Sequence, residues 1–75
     1  MSKYSLIAYN SKGEVVPEIS QDIENYEDAE ELYWDYINKY LSYLEDYDVS
    51  RLIVGNNETF NAELWQDFHW DRIVT

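Results

Sequence analysis

Between Tyr26 and Tyr47 the apolar residues fall at three- and four-residue spacing, with neither glycine nor proline among them. No other feature of this 75-residue chain limits its folding as much. Tyr26, Ala29, Leu32, Tyr33, Tyr36, Ile37, Tyr40, Leu41, Leu44 and Tyr47 would line one continuous face of a helix about six turns long. Asn25 stands where an N-cap belongs. Glu27, Asp28, Glu30 and Glu31 crowd the first turns, where the helix dipole favours anions. A helix with one apolar stripe must bury it against something else, and the rest of the chain has to supply that surface.

The flanking segments read as strands. Lys3 to Tyr9 is apolar enough for one, Ser11-Lys12-Gly13 reads as a turn, and Glu14-Val15-Val16 resumes a β-prone run that Pro17 ends. Ser20 to Asn25 reads as a polar link. Arg51-Leu52-Ile53-Val54, followed by Gly55-Asn56-Asn57, reads as a buried strand running into a turn. From Thr59 onward two patterns compete. Leu64, Trp65 and Phe68 suit a helix capped by Asn61, whereas Phe60, Ala62 and Leu64 alternate as in a strand. The expectation is a short C-terminal helix and then an extended tail through Arg72-Ile73-Val74. The fold class is therefore α+β in a single domain over residues 1–75. A small antiparallel sheet with an N-terminal hairpin would carry one long amphipathic helix packed across it.

A chain this short has little core to spare. Three Trp, eight Tyr and two Phe compensate, since each aromatic ring buries a large apolar area. There is no cysteine, so neither disulfides nor thiolate metal sites contribute, and a reducing compartment suits the composition. Met1-Ser2-Lys3-Tyr4 opens no long apolar segment of the kind a signal peptide needs. The longest apolar runs, Leu6–Tyr9 and Leu52–Val54, are far too short to span a bilayer. A cytoplasmic protein is expected.

Catalytic chemistry finds few groups to use. His69 is the only histidine, and Gly13 and Gly55 stand singly, so no glycine-rich phosphate loop exists. Asp46-x-Asp48-x-Ser50 copies the opening of an EF-hand loop. That loop then fails, with Arg51 where the sharp turn needs Gly and Asn57 where a bidentate Glu should be. Asp67, His69 and Asp71 would share one face of a strand and could meet a divalent cation there, but on a helix they would diverge. The sequence thus points away from an enzyme and calls for no cofactor or metal.

Charge is the informative property. The net charge is −11, and its location matters. From Glu14 to Asp48 there are twelve acids against one base, Lys39, whereas the remaining residues hold four of each sign. Glu24, Asp28, Glu31, Asp35, Asn38, Ser42 and Glu45 follow the helix stripe opposite the apolar one. On a helix, Glu24 to Asp35 would extend roughly 16 Å, a rigid row of carboxylates at spacings similar to those of strand phosphates. A solvated helix N-terminus accounts for Glu27 to Glu31. It does not account for Glu14, Glu18, Asp22 and Glu24 ahead of the helix, nor for Glu45, Asp46 and Asp48 at the end where acids oppose the dipole. Glu24, Asp28, Glu31 and Asp35 are accordingly the candidate partner-binding residues, extended by Glu14, Glu18, Glu45 and Asp48. Trp34 and Tyr43 fall off the apolar stripe, and Trp65, Phe68 and Trp70 cannot all face one small core. Exposed rings amid acids make good interface anchors.

A short, cysteine-free, Tyr-rich acidic chain carrying Glu24-Asn25-Tyr26-Glu27-Asp28-Ala29-Glu30-Glu31 resembles phage-encoded anti-defence proteins, the anti-restriction DNA mimics and small acidic anti-CRISPR proteins. The resemblance is one of size, charge and composition over the whole chain. It implies an inhibitor, active in the host cytoplasm, that occupies the basic groove of a nucleic-acid enzyme. The field of such a chain repels phosphate, so nucleic acid itself is not an expected partner, and neither is a membrane. The same electrostatics would suit an immunity protein or antitoxin against a basic toxin. A different class is a structural subunit or homodimer joined through the C-terminal aromatics.

Overall fold

A computed structural model describes residues 2–70. Tyr4–Asn10 forms β1, whose alternation sends Leu6 and Ala8 into the core. Gln21–Ile23 forms β2, Val49–Asn56 forms β3 and Ala62–Asp67 forms β4. The four strands make one sheet in the order β2-β1-β3-β4, antiparallel throughout. The central pair β1–β3 runs in register from Tyr4 opposite Asn56 to Tyr9 opposite Arg51, then shifts by one residue to place Asn10 opposite Val49. Tyr26–Asn38 forms α1 and Leu41–Asp46 forms α2. Both helices lie on one side of the sheet, where Ala29, Tyr33 and Leu44 meet Leu6, Ala8, Ile23, Leu52 and Val54. The α+β class and the helix-over-sheet architecture are those read from the sequence, but three elements differ.

The six-turn helix is two helices. The amides of Lys39 and Tyr40 both donate to the carbonyl of Asp35, ending α1, and the chain turns at Tyr40 before α2 begins. The reason lies in lengths. Six turns would extend about 33 Å, whereas strands of seven or eight residues reach only about 23–27 Å. A straight helix would carry Leu44 beyond the sheet; the turn instead returns it to full burial.

The second strand is not where the β-prone run lies. Val15 makes a lone bridge to Tyr9, and the Val16 amide donates to the Ala8 carbonyl at 2.8 Å. Pro17 has no N–H to continue the ladder, so the chain rolls over there and buries Val16 and Ile19. The Ser20 hydroxyl takes over the Ala8 amide at 2.9 Å. Pairing with β1 resumes only at Gln21, within the segment that reads as a polar link.

The third difference is at the C-terminus. Ala62–Asp67 is an edge strand, not a helix, with Leu64 opposite Val54 and Trp65 opposite Ile53. Asn61 therefore caps nothing helical. Its carbonyl accepts the Asn56 amide, and the Asn56 carbonyl in turn accepts from Phe60, which adopts φ 62° at the hairpin tip. The expected tail through Arg72, Ile73 and Val74 lies outside the described residues.

Candidate partner-binding face

The acidic row is built from the start of α1. Asn25 accepts the Asp28 amide on its side-chain oxygen at 2.9 Å and donates its side-chain amide to the Asp28 carboxylate at 3.0 Å. This reciprocal cap stops the helix fraying and fixes where Asp28 points. Glu24, just ahead of the cap, accepts the Ser2 hydroxyl at 3.3 Å. One and two turns further along lie Glu31 and Asp35. Asp35 pairs with Lys39 at 3.5 Å, an i,i+4 contact that leaves the lysine mostly in water.

Glu24, Asp28, Glu31 and Asp35 line one open hollow between α1 and the β2 edge. The four residues singled out from helix spacing are thus brought together. A fifth, Asp22, lines the same hollow and accepts the Ser5 hydroxyl at 3.0 Å. Its position follows from β2, where Ile23 turns inward and its polar neighbours face out. The sequence marked Asp22 only as one of the unexplained acids ahead of the helix, with Ile23 as the single apolar residue beside it.

The four flanking acids divide. Glu18 borders a second hollow, which adjoins the first because Leu32 lines both. Glu45 is exposed on α2. Glu14 and Asp48 line neither hollow. They sit at the turn that follows β1, where Glu14 accepts from the Asn10 side chain at 3.3 Å and Asp48 accepts the Ser11 hydroxyl. Asp48 adopts φ 55° there, linking α2 to β3, and its carbonyl accepts the Ser11 amide. These two carboxylates are thus engaged locally, away from the acidic row.

Arg51 grips Asp67 across β3 and β4 with two bonds, at 2.6 and 3.1 Å. The guanidinium holds the Asp67 carboxyl below the ordinary carboxylate range. Asp67 is therefore engaged by Arg51, and His69 lies beyond the end of β4 in irregular chain. Asp71 lies outside the described residues. Among the described residues no three His, Asp or Glu side chains are grouped to hold a metal ion. No helix among them is long and apolar enough to cross a membrane.

The aromatics sort only in part as their spacing suggests. Tyr40 and Tyr47, expected on the apolar stripe, are exposed, as is Leu41 of the same stripe, because the turn at Tyr40 ends the continuous face. Tyr33 is buried and Tyr26 and Tyr36 are half-buried, while Trp34 and Tyr43 are exposed. Phe68 and Trp70 stack face to face at 5.4 Å, and the Trp70 indole donates to the Val49 carbonyl at 2.8 Å. Trp65 remains 60% exposed on the sheet face away from the helices.

No protein-family model matches the chain, and neither a curated protein nor a solved structure is significantly similar to it.

Proposed function

We propose that this protein is a decoy inhibitor, not an enzyme. Its acidic α1 face occupies the basic nucleic-acid-binding surface of a nuclease or related enzyme, in the manner of anti-restriction or anti-CRISPR DNA mimics. The observation that carries this reading is the convergence of Asp22, Glu24, Asp28, Glu31 and Asp35 on one open hollow, held by a capped helix and offset by a single lysine. A row of carboxylates on a capped helix presents charge to lysines and arginines from a backbone that is already ordered. Its field steers a basic partner into encounter. The target's own nucleic acid competes for the same cations, which is what makes the protein an inhibitor.

Affinity capture from host lysate with a salt-gradient elution tests this. The expected result is recovery of a nucleic-acid enzyme that is released by salt and displaced by its own DNA or RNA. Capture that survives high salt, or that nucleic acid does not compete, would remove the decoy reading. It would favour instead an immunity protein that neutralises a toxin at another surface.

A further inference from the structure

On the Leu32 flank of α1, beside the acidic row, four tyrosines gather round the second hollow, which has a volume of about 350 Å³. Tyr36 comes from α1, Tyr40 from the turn between the helices, Tyr43 from α2 and Tyr47 from its C-terminal cap. The rings meet edge to face, with Tyr36–Tyr40 and Tyr40–Tyr43 centroids each 6.0 Å apart. Ile19 and Leu32 supply an apolar lining, and Glu18 adds a carboxylate.

Core packing explains Tyr36 but not the others. Tyr40, Tyr43 and Tyr47 are 43%, 54% and 41% exposed, and they sit together on one side of the molecule. Burial, reinforced by the neighbouring hydroxyls of Tyr43, Tyr40 and Tyr47, pushes the Tyr36 phenol above its ordinary value. Tyr36 therefore stays neutral at physiological pH, an uncharged ring at the centre of the group.

An anion entering this hollow would meet Glu18 and the adjoining row of carboxylates. A neutral apolar group would gain nothing from that field. A cation gains from both the field and the ring faces. Between the two protein cations, guanidinium is planar and weakly hydrated and stacks on aromatic faces, whereas ammonium is compact and holds its water. We propose that the tyrosine hollow receives an arginine side chain of the basic partner while the adjoining carboxylates engage its neighbouring cations. This rests on the decoy reading and extends it. Carboxylates stand where phosphates would be and tyrosines where stacking bases would be, the two elements by which proteins hold single strands.

The test is an NMR titration of the intact protein with hexa-arginine and with hexa-lysine in about 0.15 M NaCl, following tyrosine ring and backbone amide signals. Hexa-arginine is expected to bind about five- to tenfold more tightly than hexa-lysine, shifting the rings of Tyr36, Tyr40 and Tyr43. Tyr43→Leu should bring that ratio close to one, and Tyr43→Phe, which keeps the ring, should preserve it. Tyr43 is exposed enough that the amide spectrum should otherwise be retained. Equal affinities for the two peptides, or a ratio that survives Tyr40→Leu with Tyr43→Leu, would overturn the arginine site. Glu31→Gln with Asp35→Gln reports on the underlying reading separately, because it should weaken both peptides alike. If it weakens neither, the acidic row is not the cation-binding surface, whatever the tyrosines do.

Discussion

The two sides of the sheet are chemically opposite. On the helix side, α1 turns Asp28, Glu31 and Asp35 outward, with Glu24 just ahead of its cap and Asp22 at the neighbouring β2 edge, bonded to Ser5. On the other side, Ile7, Ile53 and Trp65 form one cross-strand row, and Tyr9, Arg51 and Asp67 form the next. The only ions in those two rows neutralise each other through the Arg51–Asp67 pair. A charge present only for solubility would serve the apolar side at least as well, because that is where association threatens. Instead the carboxylates lie where a helix can space them. The difference teaches that five of the twelve acids between Glu14 and Asp48 share one hollow beside α1, while the open sheet rows carry only a neutralised pair.

The largest expected effect comes from separating the two sides. Leu44 is fully buried, and α2 reaches the core through it. Leu44→Ala should cost about 2–5 kcal/mol in chemical denaturation. In hydrogen exchange, protection should fall first in α2 and the end of α1 and last in β1 and β3. Uniform loss of protection would mean that helices and sheet form one indivisible unit.

Next is the functional contrast. Replacing Glu31 and Asp35 by Lys should slow capture of the basic partner about 10–100-fold at low salt, with the circular-dichroism spectrum unchanged. Trp65→Ser, on the opposite face, should leave capture alone. If Trp65→Ser abolishes capture, or only abolishes self-association seen in sedimentation, the open sheet face is the working surface. The homodimer reading would then gain.

How much of this was legible depends on whether a feature is local. The acidic row needed only helical periodicity and a cap, and Asn25 with Glu24, Asp28, Glu31 and Asp35 supplies both. The break at Lys39–Tyr40 is not local. No glycine or proline marks it, and it follows from the length of strands elsewhere in the chain. The tyrosine hollow depends on that break, since only the turn brings Tyr43 and Tyr47 alongside Tyr36 and Ile19. β4 was ambiguous because Leu64, Trp65 and Phe68 satisfy a helical period, and pairing with β3 decides the matter. β2 carries one inward residue, Ile23, and is visible only once β1 offers it an edge.

A smaller effect tests how firmly the row is held. Asn25→Ala removes the reciprocal cap on Asp28 and should cost about 1 kcal/mol in urea unfolding. Asn25→Asp, which keeps an acceptor for the Asp28 amide, should recover much of it. If capture weakens more than the small stability change accounts for, the order of the carboxylates matters as well as their number.

The smallest effects lie at the ends of the pH scale, and each side of the sheet responds at a different end. Burial raises the phenols of Tyr33, Tyr36 and Tyr26, the last also beside the Glu30 carboxylate. Above the ordinary value of 10.0 the unfolded chain therefore releases these protons before the folded one does. Stability is complete below pH 10.0 and falls as pH rises further, and Tyr33→Phe should lessen the fall. On the open face the sign reverses. Arg51 lowers the folded value of Asp67, so the pair's contribution is present above the ordinary carboxylate value of 3.8 and is lost as pH falls through the lower folded one. Because both partners stand in water, the change should be slight. It should disappear in Asp67→Asn, so denaturation of the two variants across pH should show a lessened alkaline fall in Tyr33→Phe and no acid change from this pair in Asp67→Asn. If Tyr33→Phe leaves the alkaline limb untouched, ionisation of the buried Tyr33 phenol is not what destabilises the fold at high pH.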